Sequence, residues 1–132
     1  MEIYHQQEDI TVFGVHVKTF PNGIKEAFDQ LVKEFGKDRS YYGISWMEES
    51  NQIKYYAMVP EVYKGEANKY HYEKLIVSKG EYRTETIYNW LNKVDSIKDV
   101  FNRLMPDRSP DKDRPCVEWY KSDDEMLCMV KA

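Results

Sequence analysis

Near the C-terminus the chain reads "DRPCVEWYKSDDEMLCMV", and one carboxylate in it keeps unusual company. Glu118 lies between Val117 and Trp119 in an otherwise apolar, strand-like stretch. A strand alternates its side chains between two faces, so Cys116, Glu118 and Tyr120 share one face and Val117 and Trp119 the other. A carboxylate there either points into water or meets something the protein binds. Held among aromatic rings it would attract an organic cation, each cation–π contact adding roughly 0.5–2 kcal/mol. The rings are available: aromatics make up 14% of the chain, with eleven Tyr and three Trp against five Phe. Tyrosine and tryptophan join a large apolar face to a polar handle, which suits binding pockets and β-sheets alike.

Other chemistries lack their residues. His5, His16 and His71 have no metal-ligand spacing, neither Cys116 nor Cys128 belongs to a C-x-x-C pair, and no metal or cofactor is expected. Phosphate-cradling and nucleophile-elbow motifs are absent from the sequence. Cys116 beside Glu118 reads as packing and not as a nucleophile, because a small apolar cysteine on a strand is usually inert. "SDDE" reads as an acidic hairpin turn, since a calcium loop needs more ligands and a glycine.

The elements that must position Glu118 follow from composition and an internal repeat. At 132 residues, 42% hydrophobic and 32% charged, the chain fits one globular domain spanning 1–132. Its net charge of −4, without a basic stripe, argues against direct nucleic-acid binding. No apolar run reaches the roughly 20 residues of a membrane span, and the polar N-terminus is not a signal peptide, so a cytoplasmic location is expected.

"IKEAFDQL" (24–31) and "IKDVFNRL" (97–104) match at four positions, and the same shift places Trp46 on Trp119 and Ile44 on Val117. This predicts two diverged copies, about 8–61 and 70–132, each a β-α-β-β unit. In the first, strand 9–20 precedes a helix capped by Asn22, ending at Phe35 and stopped by Gly36. A hairpin of 41–48 and 52–59 then turns through "EESN". In the second, strand 73–89, helix 94–105 and hairpin 115–121 with 125–131 repeat the order. The expected fold class is therefore α+β: an antiparallel sheet with helices on one face and a ligand cleft between the copies. The helices are expected to cover the Ile44/Trp46/Val117/Trp119 face. Glu118 and Tyr120 would occupy the opposite face with Ser45, Met47, Tyr56, Met58, Leu127 and Met129.

Four stretches carry a family resemblance: "ITVFGVHVKTF", "YYGISWMEESNQIKYYAMVP", "LIVSKGEYRTETIYNW" and "RPCVEWYKSDDE". In this order, with Phe13-Gly14-Val15 opening, Gly80-Glu81-Tyr82 starting the second strand and Pro115 to Tyr120 closing, the chain resembles the GyrI-like, AraC-type effector-binding superfamily. The likeness is to its stand-alone, Cass2-like members in particular. The resemblance implies a cleft that binds hydrophobic, often cationic, small molecules with aromatics around a central acid. It assigns Glu118 to that acid, Tyr120 to its tyrosine neighbour and Tyr56 and Tyr82 to the walls. Met58 lies beside Tyr56 on the same strand face, and Trp90 reaches the rim. Many relatives carry a helix-turn-helix domain for which these residues leave no room, so direct transcriptional activation is not expected.

The leading expectation is thus a small-molecule-binding domain that senses or sequesters a bulky apolar cation. The alternatives are a hydrolase, in which Glu118 would be the catalytic residue that activates water, and a modulator whose aromatic face meets a protein partner such as gyrase or a transcription regulator.

Overall fold

The computed structural model describes residues 1–107 and 109–132. Its strands are β1 (Glu2–Gln6), β2 (Ile10–His16), β3 (Tyr41–Met47), β4 (Ile53–Pro60), β5 (Glu73–Val77), β6 (Gly80–Tyr88), β7 (Cys116–Tyr120) and β8 (Glu125–Lys131). The helices among the described residues are α1 (Ile24–Phe35), α2 (Glu66–Tyr70) and α3 (Ile97–Leu104), with two 3-10 turns at Trp90–Asn92 and Val94–Ser96. All strands join one curled antiparallel sheet in the order β1-β6-β8-β7-β3-β4-β2-β5. The α+β class and antiparallel sheet agree with the sequence expectation.

Several boundaries differ from it: the strand expected over 9–20 ends at His16, and the helix expected over 94–105 opens as a 3-10 turn at Val94–Ser96 and runs as α3 from Ile97. The residue before α1 is Gly23, in the left-handed region at φ 92°, and no side chain caps the helix, so Asn22 does not serve as the cap. The stretch 73–89 is two strands and not one. Its halves pair with different partners, β5 with β2 and β6 with β1 and β8. The chain turns between them at Ser78–Lys79 and re-enters the sheet at Gly80, whose φ of 132° suits glycine.

That turn is possible because the sheet curls its two edges toward each other. Gln6 on β1 donates from Nε2 to the carbonyl of Val77 on β5 at 2.8 Å, although the two strands are the outermost of the sheet. Gly14 on β2 relieves a close approach, since a Cβ there would lie 2.0 Å from the Ala57 carbonyl oxygen.

Curling divides the burial. On the inner face Val12, Tyr42, Ile44, Trp46, Tyr56, Met58, Val77, Tyr82, Val117, Leu127 and Met129 form one continuous cluster reaching strands at both ends. On the outer face two separate clusters lie beneath helices. Phe13, Leu31, Tyr55 and Val59 pack with α1, and Ala67 of α2 belongs to the same cluster. Val100, Phe101 and Leu104 of α3 pack with Cys116, Met126, Cys128 and Val130. Both helix stripes have the spacing that buries one side of a helix. Between the two clusters runs a seam over β3 and β7, and Tyr120 packs against both sides of it. No helix among the described residues is long and apolar enough to cross a membrane.

Candidate functional site

Glu118 lies in that seam. β7 pairs with β3 so that Glu118 stands opposite Gly43, and β3 pairs with β4 so that Ser45 stands opposite Tyr55. Because Gly43 has no side chain, the carboxylate and the Tyr55 ring meet above it from opposite directions. Tyr55 Oη donates to Glu118 Oε1 at 2.6 Å, and Tyr120 Oη donates to the same oxygen at 2.7 Å. Tyr120 reaches it because residues two apart on a strand share a face.

Glu118 is 8% exposed, and among the described residues no salt bridge reaches it. Burial raises its pKa above the usual 4.5, since the charged form loses its water, while the two tyrosine hydrogen bonds pull partly the other way. Burial, with the neighbouring carboxylate, pushes Tyr55 and Tyr120 well above their usual range, so both remain neutral donors. The Cys116 thiol is pushed up to about 12 by burial and then by Glu118, which keeps it protonated and unreactive at neutral pH.

Aromatic rings surround the triad. Phe20 stacks on Tyr55 with centroids 5.4 Å apart and planes 12° apart. Phe28 of α1 meets Tyr120 edge-on at 5.5 Å, and Trp90 packs on the same ring at 4.7 Å. Trp90 is held by its own Nε1, which donates to the Ser122 carbonyl at 2.9 Å. A groove of about 270 Å³ opens nearby; none of Glu118, Tyr55 and Tyr120 lines it, but Phe20, which stacks on Tyr55, and Cys116, two residues before Glu118 on β7, do. Ser45, Met47 and Cys116 form its floor, and Phe20 and Phe101 stand on its two walls. The result is a buried carboxylate linked through Cys116 and Phe20 to an apolar, sulfur- and ring-lined groove.

The residues expected from sequence divide into two groups. Glu118, Tyr120 and Trp90 come together in the seam. Tyr56, Met58 and Tyr82 lie inside the curl, on the other face of the sheet, and do not meet Glu118. The face assignment is corrected accordingly: Ile44, Trp46, Val117 and Trp119 line the curl, and the helices cover the face of Glu118.

The cause is parity across the hairpin and not its register. Strands 41–48 and 52–59 oppose Met47 to Ile53, as found, and directly opposed residues share a face, so Ser45 shares its face with Tyr55 and Ile44 with Tyr56. The expectation that set Tyr56 and Met58 beside Ser45 and Met47 was one residue out in the alternation along β4. In the second hairpin, Leu127 and Met129 stand opposite Trp119 and Val117 and so share their face. Sequence reasoning therefore missed Tyr55, Gly43, Phe20 and Phe28. The adjacent tyrosines of "KYYAM" held the signal for Tyr55, since one parity selects each of them. Among the described residues no group of three His, Cys, Asp or Glu is placed to hold a metal ion.

No protein-family model matches the sequence, and no curated protein matches it. Solved structures do share the fold. The integron cassette protein VCH_CASS2 from the mobile metagenome of Vibrio cholerae is 14% identical, with 98% of this chain and 94% of that one covered and a TM-score of 0.66. SAV2435, solved bound to tetraphenylphosphonium, is 15% identical over 100% and 95%, with a TM-score of 0.61. A candidate bacterial transcription regulation protein from Staphylococcus aureus MU50 is 13% identical over 99% and 97%, with a TM-score of 0.59.

Proposed function

We propose that the seam between α1 and α3 binds bulky hydrophobic cations, with Glu118 as the counter-charge and the rings of Tyr55, Tyr120, Phe20 and Trp90 around it. The observation that carries this reading is a buried carboxylate whose partners are two neutral hydroxyls, with an apolar groove reached from it through Cys116 and Phe20. A carboxylate without a cation is costly to ionise in such a place, and a lipophilic cation supplies the missing charge without bringing back water. Tetraphenylphosphonium, seen on a protein of the same fold, has this chemistry: one delocalised charge wrapped in four phenyl rings. Sensing or sequestration of such compounds fits a site built this way.

The same reading takes the chain as a GyrI-like domain of two β-α-β-β copies. The shift that carries Ile24 to Ile97 also carries Ile44 to Val117, and these two are register partners across β3 and β7. Such a pairing fits a twofold axis between the copies. Turnover is the weaker use of the same residues. Both tyrosine hydroxyls donate to Oε1, which leaves neither directed at a leaving group.

The test is a thermal-shift comparison of tetraphenylphosphonium with triphenylphosphine oxide, a neutral molecule of similar shape. Stabilisation by the cation alone supports the proposal. Equal shifts, or none, contradict it.

A further inference from the structure

Gly43 has an ordinary strand environment and no turn to make, yet a side chain in its place would displace two groups of the site. A Cβ on it would lie 2.2 Å from Tyr55 Oη, 2.4 Å from Glu118 Oε1 and 2.9 Å from Tyr55 Cζ. All three atoms belong to side chains of the site, so the space refused to a Gly43 side chain is the space in which the carboxylate and hydroxyl meet. Tyr55 stands on β4 and Glu118 on β7, with β3 between them. Two side chains on strands that are not neighbours form a hydrogen bond of 2.6 Å only when the strand between them offers nothing to hold them apart.

We infer that Gly43 is a positioning residue, which draws the Glu118 carboxylate onto the midline of the seam and thereby decides where a ligand's charge must sit. With any side chain at Gly43, the carboxylate is pushed outward along β7, away from Tyr55 and toward water. The consequence for ligands rests on the cation-binding reading; the placement of the carboxylate does not, and is measured without a ligand.

The experiment follows glutamate carboxyl signals by 13C NMR across a pH titration of the wild-type protein and the Gly43→Ala variant, with Glu118→Gln to assign the Glu118 signal. In the wild type that signal is expected to titrate above the usual carboxylate range, and in Gly43→Ala to return toward it. An unchanged Glu118 titration in a folded Gly43→Ala protein overturns the inference. A general loss of stability would not move this signal alone, so the readout separates positioning from packing.

If Gly43→Ala does not fold, the triple variant Gly43→Ala/Tyr55→Leu/Glu118→Ala removes all three atoms that the new methyl meets. It is expected to regain the folded spectrum, and its failure to do so places the need for glycine in the backbone and overturns the inference. Affinities for tetraphenylphosphonium and triphenylphosphine oxide complete the set. The preference of the wild type for the cation is expected to drop about tenfold in Gly43→Ala. A wild type with no preference contradicts the binding reading, while the titration still judges Gly43.

Discussion

Glu66 and Glu118 are both nearly sealed from solvent, at 2% and 8% exposed, yet only Glu66 has a cation. Arg39 holds it with two bonds, Nη2 to Oε2 at 2.7 Å and Nη1 to Oε1 at 3.1 Å, and the backbone N–H of Val62 donates to Oε1 at 3.0 Å. That pairing keeps the Glu66 carboxyl below its usual range, chiefly through the hydrogen bond from Arg39. Glu118 shifts the other way because burial outweighs its two neutral donors. The first glutamate is a finished fastening that ties α2 to the chain before β3. The second keeps an unmet demand for positive charge, and the fold places that demand near a groove.

Breaking the fastening should have the largest effect. Arg39→Ala leaves Glu66 buried without its cation and is expected to lower stability by about 3 kcal/mol in urea denaturation, while ligand binding in the seam is unaffected. The same substitution at the two sites should then give unlike results. Glu66→Gln is expected to destabilise by about 2 kcal/mol, since it removes the charge that Arg39 faces. Glu118→Gln at neutral pH should leave stability level or raise it, because it removes a buried charge that faces no cation while its amide oxygen can still accept from Tyr55 and Tyr120. Equal losses at the two positions would erase the distinction.

Acidity sharpens the comparison. The Glu118 pKa is raised above 4.5, so the folded protein binds its proton more tightly than the unfolded chain does. Its contribution is fully present below the unfolded value and is lost as pH rises through the folded one. The Glu66 pKa is lowered from 4.5, so its contribution is present above the unfolded value and lost as pH falls through the folded one. Stability of the wild type relative to Glu118→Gln should therefore fall as pH rises above 4.5, with a slope of at most about 1.4 kcal/mol per pH unit. Cation affinity should climb over the same interval, as the carboxylate becomes charged before the ligand arrives. A flat difference would show that Glu118 does not titrate from a buried state. The smallest effects belong to the hydroxyls: Tyr55→Phe and Tyr120→Phe should each cost about 1 kcal/mol at neutral pH and raise the Glu118 titration further.

Much of this arrangement was legible in the residues. The 3.6-residue stripes drew α1 and α3 under the sheet, and alternation within "CVEWY" put Cys116, Glu118 and Tyr120 on one face. What escaped has a physical cause in each instance. The sheet is buried on both faces, so strong apolar character at Ile44, Trp46, Val117 and Trp119 marked burial but not which layer does the burying. Tyr55 was hidden by the parity of β4, where two adjacent tyrosines compete for one face and pairing with Ser45 selects Tyr55. The strand β1 is polar, with the sequence Glu2-Ile3-Tyr4-His5-Gln6, because an edge strand buries little, and nothing in it alternates strongly enough to announce a strand. The split of 73–89 depends on curling, a property of the whole sheet that no local pattern encodes.

The central claim is that the charge of Glu118 binds a cation, and calorimetric titration tests it most directly. Tetraphenylphosphonium and triphenylphosphine oxide would each be titrated into the wild-type protein and into Glu118→Gln. The account expects the cation to lose about tenfold or more in affinity on Glu118→Gln, as for a lost charge-assisted contact of roughly 1–3 kcal/mol, while the oxide binds both proteins alike. A cation that binds both proteins equally would contradict it and leave Glu118 a buried acid with no ligand to meet.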